Sequence, residues 1–271
     1  MRWVNVRPGR GVVLALGFLP FAFLTAAYLA GSAARLSLNP SDKLLPSLVS
    51  LADAINRVAF IPDGKTGDLL LWSDTLASLS RLGWGLLIAT AIALVVGIVI
   101  GMLPIVRGLL APVVAVIAMV PPLALLPILF ILLGLGETSK IALIVIGVAP
   151  TMVRDLSLKV VALPRELIVK AQTLGASSWQ LGLRVVLPQI LPQLLTSLRL
   201  QLGPAWLFLI AAEAISSDAG LGYRIFLVRR YLAMDVIFPY VAWITLLAVV
   251  MNVGLEALRS RLFAWSNVAS A

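Results

Sequence analysis

The sequence predicts an all-α, polytopic membrane protein with about six transmembrane helices, and three observations carry that expectation. The chain is 61% hydrophobic, with a mean hydropathy of +1.06. Charged residues make up 12% of it, against roughly 25% in an ordinary soluble domain. Its apolar stretches recur at about the 20 residues an α-helix needs to cross a bilayer, with Gly, Pro and charge gathered between them. In 271 residues this leaves room for six crossings and no separate soluble domain. Cysteine and histidine are both absent. That excludes disulfides and thiolate chemistry, and it removes the commonest general base, metal ligand and pH switch. A net charge of +9 would suggest nucleic acid in a soluble chain, but here it is weighed first against the positive-inside rule.

The first span, Val12 to Ala30, comes after Arg2, Arg7 and Arg10. It is longer than the roughly 7–15 residues of a signal-peptide core, so it is read as an uncleaved span with a cytoplasmic N-terminus. Residues 31 to 74 form an external loop with an amphipathic helix near Leu44 to Ala59. The run Gly64, Lys65, Thr66 imitates the end of a phosphate-binding loop, but Ala59 stands where the leading glycine is needed, so it is a loop turn. Span two, about Thr75 to Leu103, contains Gly97 and Gly101, a small-xxx-small pair that lets another helix approach closely. Span three, about 109 to 133, is interrupted by Pro121, Pro122 and Pro127. Prolines at membrane depth free backbone carbonyls, which is tolerated where protein or a water-filled path surrounds them, so these three are expected to bend a helix that lines a translocation pathway. Gly134, Gly136, Glu137 and Lys140 make an external turn, and span four comes next at about Ile141 to Val153.

Span five, about Leu191 to Ala214, is succeeded by an external loop with Asp218, Gly220, Gly222, Arg224, Arg229 and Arg230, and then by span six, about Val236 to Leu255. Glu213, inside LIAAEAIS, is an ionisable group at membrane depth. It is a candidate for the pathway, with a structural ion pair as the alternative. Arg81 and Arg199 lie near span ends and are expected to snorkel. With both termini cytoplasmic, Lys and Arg exceed Asp and Glu in the cytoplasmic segments and balance them in the external ones.

One stretch away from the termini does not suit a bilayer: residues 163 to 192, LPRELIVKAQTLGASSWQLGLRVVLPQILP. It reads as two short helices. Pro164 suits a first helical position, Leu163, Leu167, Ala171 and Leu174 share a face, and Gly175 is placed to end the turn. Ser177 with Gln180 forms a capping box, and Pro188 is expected to stop or bend the helix at that point. The other face carries Arg165, Glu166, Lys170, Gln172 and Arg184, which makes the stretch a docking element on a water-facing surface. No carboxylate pair, metal cluster, activated nucleophile or phosphate loop can be assembled, so neither an active site nor a cofactor site is expected. Energy must come from a partner.

This stretch resembles the cytoplasmic coupling motif of the permease subunits of binding-protein-dependent ABC importers. That pattern runs EAA, three residues, Gly, nine residues, Ile, one residue, Leu-Pro. Ala171 holds the second alanine, Gly175 the glycine, Val185 the isoleucine place and Leu187-Pro188 the ending, while Val169 and Lys170 replace the glutamate and first alanine. VPPLALLPILFILLGLGETSK, TLGASSWQ, LPQLLTSLRLQLGPAW, LIAAE and GLGYRI are similar to the branch that imports taurine, alkanesulfonates and nitrate. The resemblance implies a type I importer permease fold in a bacterial inner membrane, surrounded by lipid. It also implies a core domain over 74–265, an N-terminal helix and external loop over 1–73, and a tail over 266–271. The implied partners are a second permease copy, two cytoplasmic ATPase subunits and an external or periplasmic solute-binding protein. ATP hydrolysis then belongs to the ATPase, and this chain is not an enzyme. The coupling residues implied are Arg165, Glu166, Lys170, Ala171, Leu174, Gly175, Ala176, Ser177, Trp179, Leu187 and Pro188. A DNA-binding helix-turn-helix could also be read into AQTLGASSWQLGLRVV, but the flanking spans argue against nucleic acid. A secondary transporter or channel is the stronger rival, yet no internal repeat is visible and Glu213 alone could couple an ion. Urea or guanidine remains open as a solute.

Overall fold

The computed structural model describes residues 9–40, 42–64 and 67–265, and the described residues contain helices, turns and loops but no strand. Lys65 and Thr66 of the phosphate-loop lookalike, the N-terminal Arg2 and Arg7, and the tail 266–271 lie outside them. Among the described residues, five helices are long and apolar enough to cross a membrane, or six spans if one bent pair counts as a single crossing.

α1 (Arg10–Leu38) continues past the expected end at Ala30. α2 (Leu48–Ala59) begins later than the expected Leu44, because Pro46 disfavours helix before it and Ser47 caps the start by accepting from the Ser50 N–H at 3.1 Å. α3 (Leu70–Met102) stops one residue before the Leu103-Pro104 pair, and Pro104 opens α4 (Pro104–Ile117). The chain then breaks. A 3₁₀ turn (Pro122–Leu125) leads into α5 (Leu126–Leu133), and the two halves of the pair are bent by 80°. This is the bend expected from Pro121, Pro122 and Pro127.

α6 (Glu137–Val161) starts earlier and ends later than the expected span four, so Glu137 and Lys140 belong to its first turn rather than to the preceding loop. α7 (Arg165–Thr173) and α8 (Ser178–Leu181) come next, then a π turn (Gly182–Val186) and α9 (Leu187–Ile215). α10 (Leu221–Arg229) occupies the loop before α11 (Met234–Leu262).

The chain forms two compact units. One comprises the described residues of Met1–Leu69 with Val228–Tyr240, and the other those of Leu70–Leu227 with Val241–Ala271. In the first, the Tyr28 hydroxyl donates to the Pro46 carbonyl at 2.7 Å and Arg57 pairs with Asp235 at 3.2 Å. Arg35 pairs with Asp42 and holds that carboxyl below the usual carboxylate range, helped by the Leu44 N–H.

The second unit is organised by α3 against α6 and α6 against α9. Glycines set the α3–α6 distance. A Cβ on Gly85 would lie 2.7 Å from Ile144, one on Gly97 would lie 2.9 Å from Leu156 Cβ, and one on Gly101 would overlap Val160. The small-xxx-small pair is therefore a contact surface, filled by branched side chains of α6. Gly97→Leu is expected to force α3 and α6 apart and to lower stability by roughly 1–3 kcal/mol, read as a lower thermal midpoint of the purified protein in detergent. An unchanged midpoint would show that this contact does not hold the pair.

Candidate coupling and translocation sites

Residues 163 to 188 form a rigid two-helix elbow. Pro164 lies one place earlier than expected: its φ of −55° and ψ of 125° make it the residue before α7, and Arg165 is the first helical one. At the other end of α7, the Gly175 N–H donates to the Gln172 carbonyl at 2.9 Å and the Ala176 N–H to the Ala171 carbonyl at 3.0 Å. These paired bonds close the helix around Gly175, whose φ is +79°. Ser177 then opens α8 with a reciprocal cap. The Gln180 N–H donates to Ser177 Oγ at 3.3 Å, and the Ser177 N–H donates to Gln180 Oε1 at 2.9 Å. Two sequence signals, one glycine and one Ser/Gln pair, therefore fix the angle between the arms.

Pro188 does not stop the helix, one of the two outcomes expected there. Ser178–Ile215 is one helical run of 38 residues, interrupted only by the π turn. There the Leu187 N–H reaches back five residues to the Gly182 carbonyl. A proline clashes with the carbonyl four residues before it in a regular α-helix, and the wider turn relieves that clash at Arg184. The second arm of the elbow is thus mechanically continuous with α9.

The elbow's surface is apolar at its tip. Leu174 is 80% exposed and Trp179 75% exposed, far more than the half-buried Ala171 and Ala176. Arg165, Glu166, Val169 and Lys170 are exposed along α7. Beside the tip, an apolar groove of about 310 Å³ runs between Val99 and Met102 of α3, Leu103 just after it, and Trp179, Leu183 and Leu187.

The expected pathway residues fall into two places. Pro122 lines a cavity of about 320 Å³ at the break, together with residues of α6 and α9, whereas Pro121 caps the 3₁₀ turn and Pro127 lies in the first turn of α5. Glu213 does not line that cavity. It is fully buried in a polar cluster, where it accepts from Ser78 Oγ at 2.8 Å, Arg81 Nη1 at 2.6 Å and the Gly222 N–H at 2.9 Å. Arg81 also pairs with Glu137 and donates to the Ala219 carbonyl at 2.7 Å. Lys140 reaches Glu137 at 3.0 Å.

Asp74, placed by the sequence in the loop before span two, is instead buried in α3. It accepts from the Gly220 N–H at 2.9 Å and Arg224 Nε at 2.8 Å. Nor does Arg81 snorkel: it is 5% exposed, with carboxylates on two other helices. Arg199 pairs with Glu256 and with Asn252 Oδ1 at 3.1 Å. Sequence reasoning missed Asp74, Ser78 and Arg224, although the spacing of Asp74, Ser78 and Arg81 puts all three on one helix face.

The elbow and the broken helix lie within one matched region. Residues 89–264 match the family of binding-protein-dependent transport system inner membrane components. The chain belongs to that family. Among its relatives, the permease is 38% identical over 230 residues to the taurine transport system permease protein TauC of Escherichia coli (strain K12), covering 85% of this chain and 80% of that one. It is 30% identical over 220 residues to the bicarbonate transport system permease protein CmpB of Synechocystis sp., covering 81% and 78%. Its fold matches that of a chain in the inward-facing MetNI methionine ABC transporter, with a TM-score of 0.64 at 19% identity over 73% of this chain and 99% of that one. The permease is thus a multi-pass ABC importer component of type I fold, and the family role is transport rather than catalysis.

Proposed function

We propose that this permease carries a small sulfonate, nitrate or comparable small nitrogen or sulfur compound inward across a bacterial inner membrane. A homodimer would form the path, two cytoplasmic ATPase subunits would drive it, and an external solute-binding protein would deliver the solute. The observation that carries the coupling reading is the elbow: an exposed apolar tip at Leu174 and Trp179, on arms fixed by Gly175 and the Ser177 cap, continuous through the π turn with α9. An ATPase that grips the tip can turn its own closure into a rotation of α9 without a slack loop between. Docking is mainly burial of Leu174, Trp179 and Leu183, with Arg165, Glu166, Lys170 and Arg184 at a polar rim. Ala171, Ala176, Leu187 and Pro188 shape the arms. The helix broken at Pro121, Pro122 and Pro127 lines the path, and the Glu213 cluster ties α3, α6 and α9 together at one end of it.

The solute class comes from the relatives. TauC is named for taurine and CmpB for bicarbonate, both small, oxygen-rich acids.

This assignment puts both termini and residues 163–188 in the cytoplasm, and residues 42–64 and 216–230 outside. Single-cysteine labelling is clean because the chain has none of its own. Ser177→Cys is expected to resist an impermeant thiol reagent in intact cells and to react in inverted vesicles, with Asp53→Cys doing the opposite. Labelling of position 177 from outside would overturn the arrangement. Uptake is expected only when the ATPase and binding protein are co-expressed, and uptake by the permease alone would favour a secondary transporter.

A further inference from the structure

We propose that the cavity at the helix break is a solute-binding station inside the membrane, suited to a small net-neutral zwitterion with an ammonium and an acid end, and that Gln201 and Thr151 make its polar side-chain contacts. This rests on the importer reading and narrows the solute within it. The cavity of about 320 Å³ is bordered by Pro122 at the break, Ile146 and Thr151 on α6, and Gln201, Pro204 and Phe208 on α9.

Each of the three walls carries a proline: Pro122, Pro150 in α6 and Pro204 in α9. Proline has no N–H, so the carbonyls of Ala118, Ile146 and Leu200 have no donor four residues on. Ala118 and Ile146 line the cavity, and Leu200 adjoins the lining residue Gln201. Thr151 donates its hydroxyl proton to the Val148 carbonyl at 2.8 Å, which leaves its oxygen an acceptor. Among the described residues the Gln201 amide makes no hydrogen bond, so its two N–H donors and its carbonyl are open to a solute.

No Asp, Glu, Lys or Arg lines this cavity. A monoanion such as nitrate or hydrogencarbonate would sit there with its charge uncompensated in low-dielectric surroundings. An aminosulfonate brings its own counter-charge. Its ammonium can donate to Thr151 Oγ1 and to carbonyls released by the prolines, while the Gln201 amide donates to the sulfonate. The acceptor-rich, charge-free lining therefore selects for a solute with N–H donors and zero net charge.

The test is uptake of radiolabelled taurine into proteoliposomes holding the permease, its ATPase and saturating binding protein, with nitrate as the comparison probe. Gln201→Met and Thr151→Val nearly conserve volume, and each removes one hydrogen bond to a charged group. Each is expected to lower taurine uptake about tenfold while co-purification with the ATPase and ATP hydrolysis in the assembled complex stay at wild-type levels. Taurine uptake within twofold of wild type in both variants would overturn the station. So would wild-type uptake of nitrate with none of taurine. Taurine uptake that persists without the ATPase would contradict the importer reading instead, and the variants' losses would still decide the station.

Discussion

Gly175→Val is expected to abolish uptake while the protein still inserts and folds. Gly175 has a φ of +79°, and a Cβ placed there would meet nothing within 4 Å. The damage is therefore conformational rather than steric: a β-branched residue in left-handed geometry is a strong outlier, and forcing an L-residue there costs roughly 1–2 kcal/mol. The chain can escape by rotating the elbow open, which would break the two bonds that Gly175 and Ala176 make back to α7 and swing Leu174 away from Trp179. Gly175→Asn is the control, because asparagine tolerates the left-handed region, and it is expected to keep most uptake. Lys170→Ala is expected to be mild, since single charges at a polar rim contribute little. Solute uptake and co-purification with the ATPase read all three. Normal uptake by Gly175→Val would remove the elbow from the coupling mechanism, and a large loss on Lys170→Ala would show that charge holds the interface.

Arg81→Ala is expected to destabilise the fold by roughly 3–5 kcal/mol, because it leaves the fully buried Glu213 carboxylate without its cation. Ser78 and the Gly222 N–H still donate to Glu213, but they do not balance its charge. Replacing both partners with apolar residues of similar volume, Arg81→Met with Glu213→Leu, is expected to recover much of the loss, since removing a buried pair whole is far less damaging than breaking it. Thermal unfolding in detergent of Arg81→Ala and the double variant measures this. A double variant less stable than Arg81→Ala would mean that the cluster's remaining bonds, to Ser78, Glu137 and Gly222, matter more than the balance of charge.

Much of the elbow was legible in the sequence because its devices are local: one glycine with positive φ, one Ser/Gln pair three residues apart, and an apolar face at helical spacing. The α3–α6 contact was legible for the same reason, as two glycines four apart. Pro188 was legible only in part because its effect depends on the preceding turn. A proline breaks an α-helix but fits after a π turn, and nothing in GLRVVLP announces that the helix widens there. At Glu213 a structural ion pair was one of the two readings, but the partners in its cluster were not legible. Its members come from residues 74 to 224, so no local pattern pairs them, and the rule that arginines near span ends reach for water gave the wrong environment for Arg81. The cavity at the break was legible only in part: the prolines at 121, 122 and 127 signalled a bend, but Pro150 and Pro204 on other helices join them only in three dimensions.

The most direct measurement places a photocrosslinking residue at position 179, at the exposed tip of the elbow, in cells that make the permease with its ATPase and binding protein. Illumination is expected to give a covalent permease–ATPase adduct from position 179, and none from the same probe at position 53. An uptake-competent permease whose position 179 yields no ATPase adduct, while position 53 does, would contradict the coupling role of this elbow.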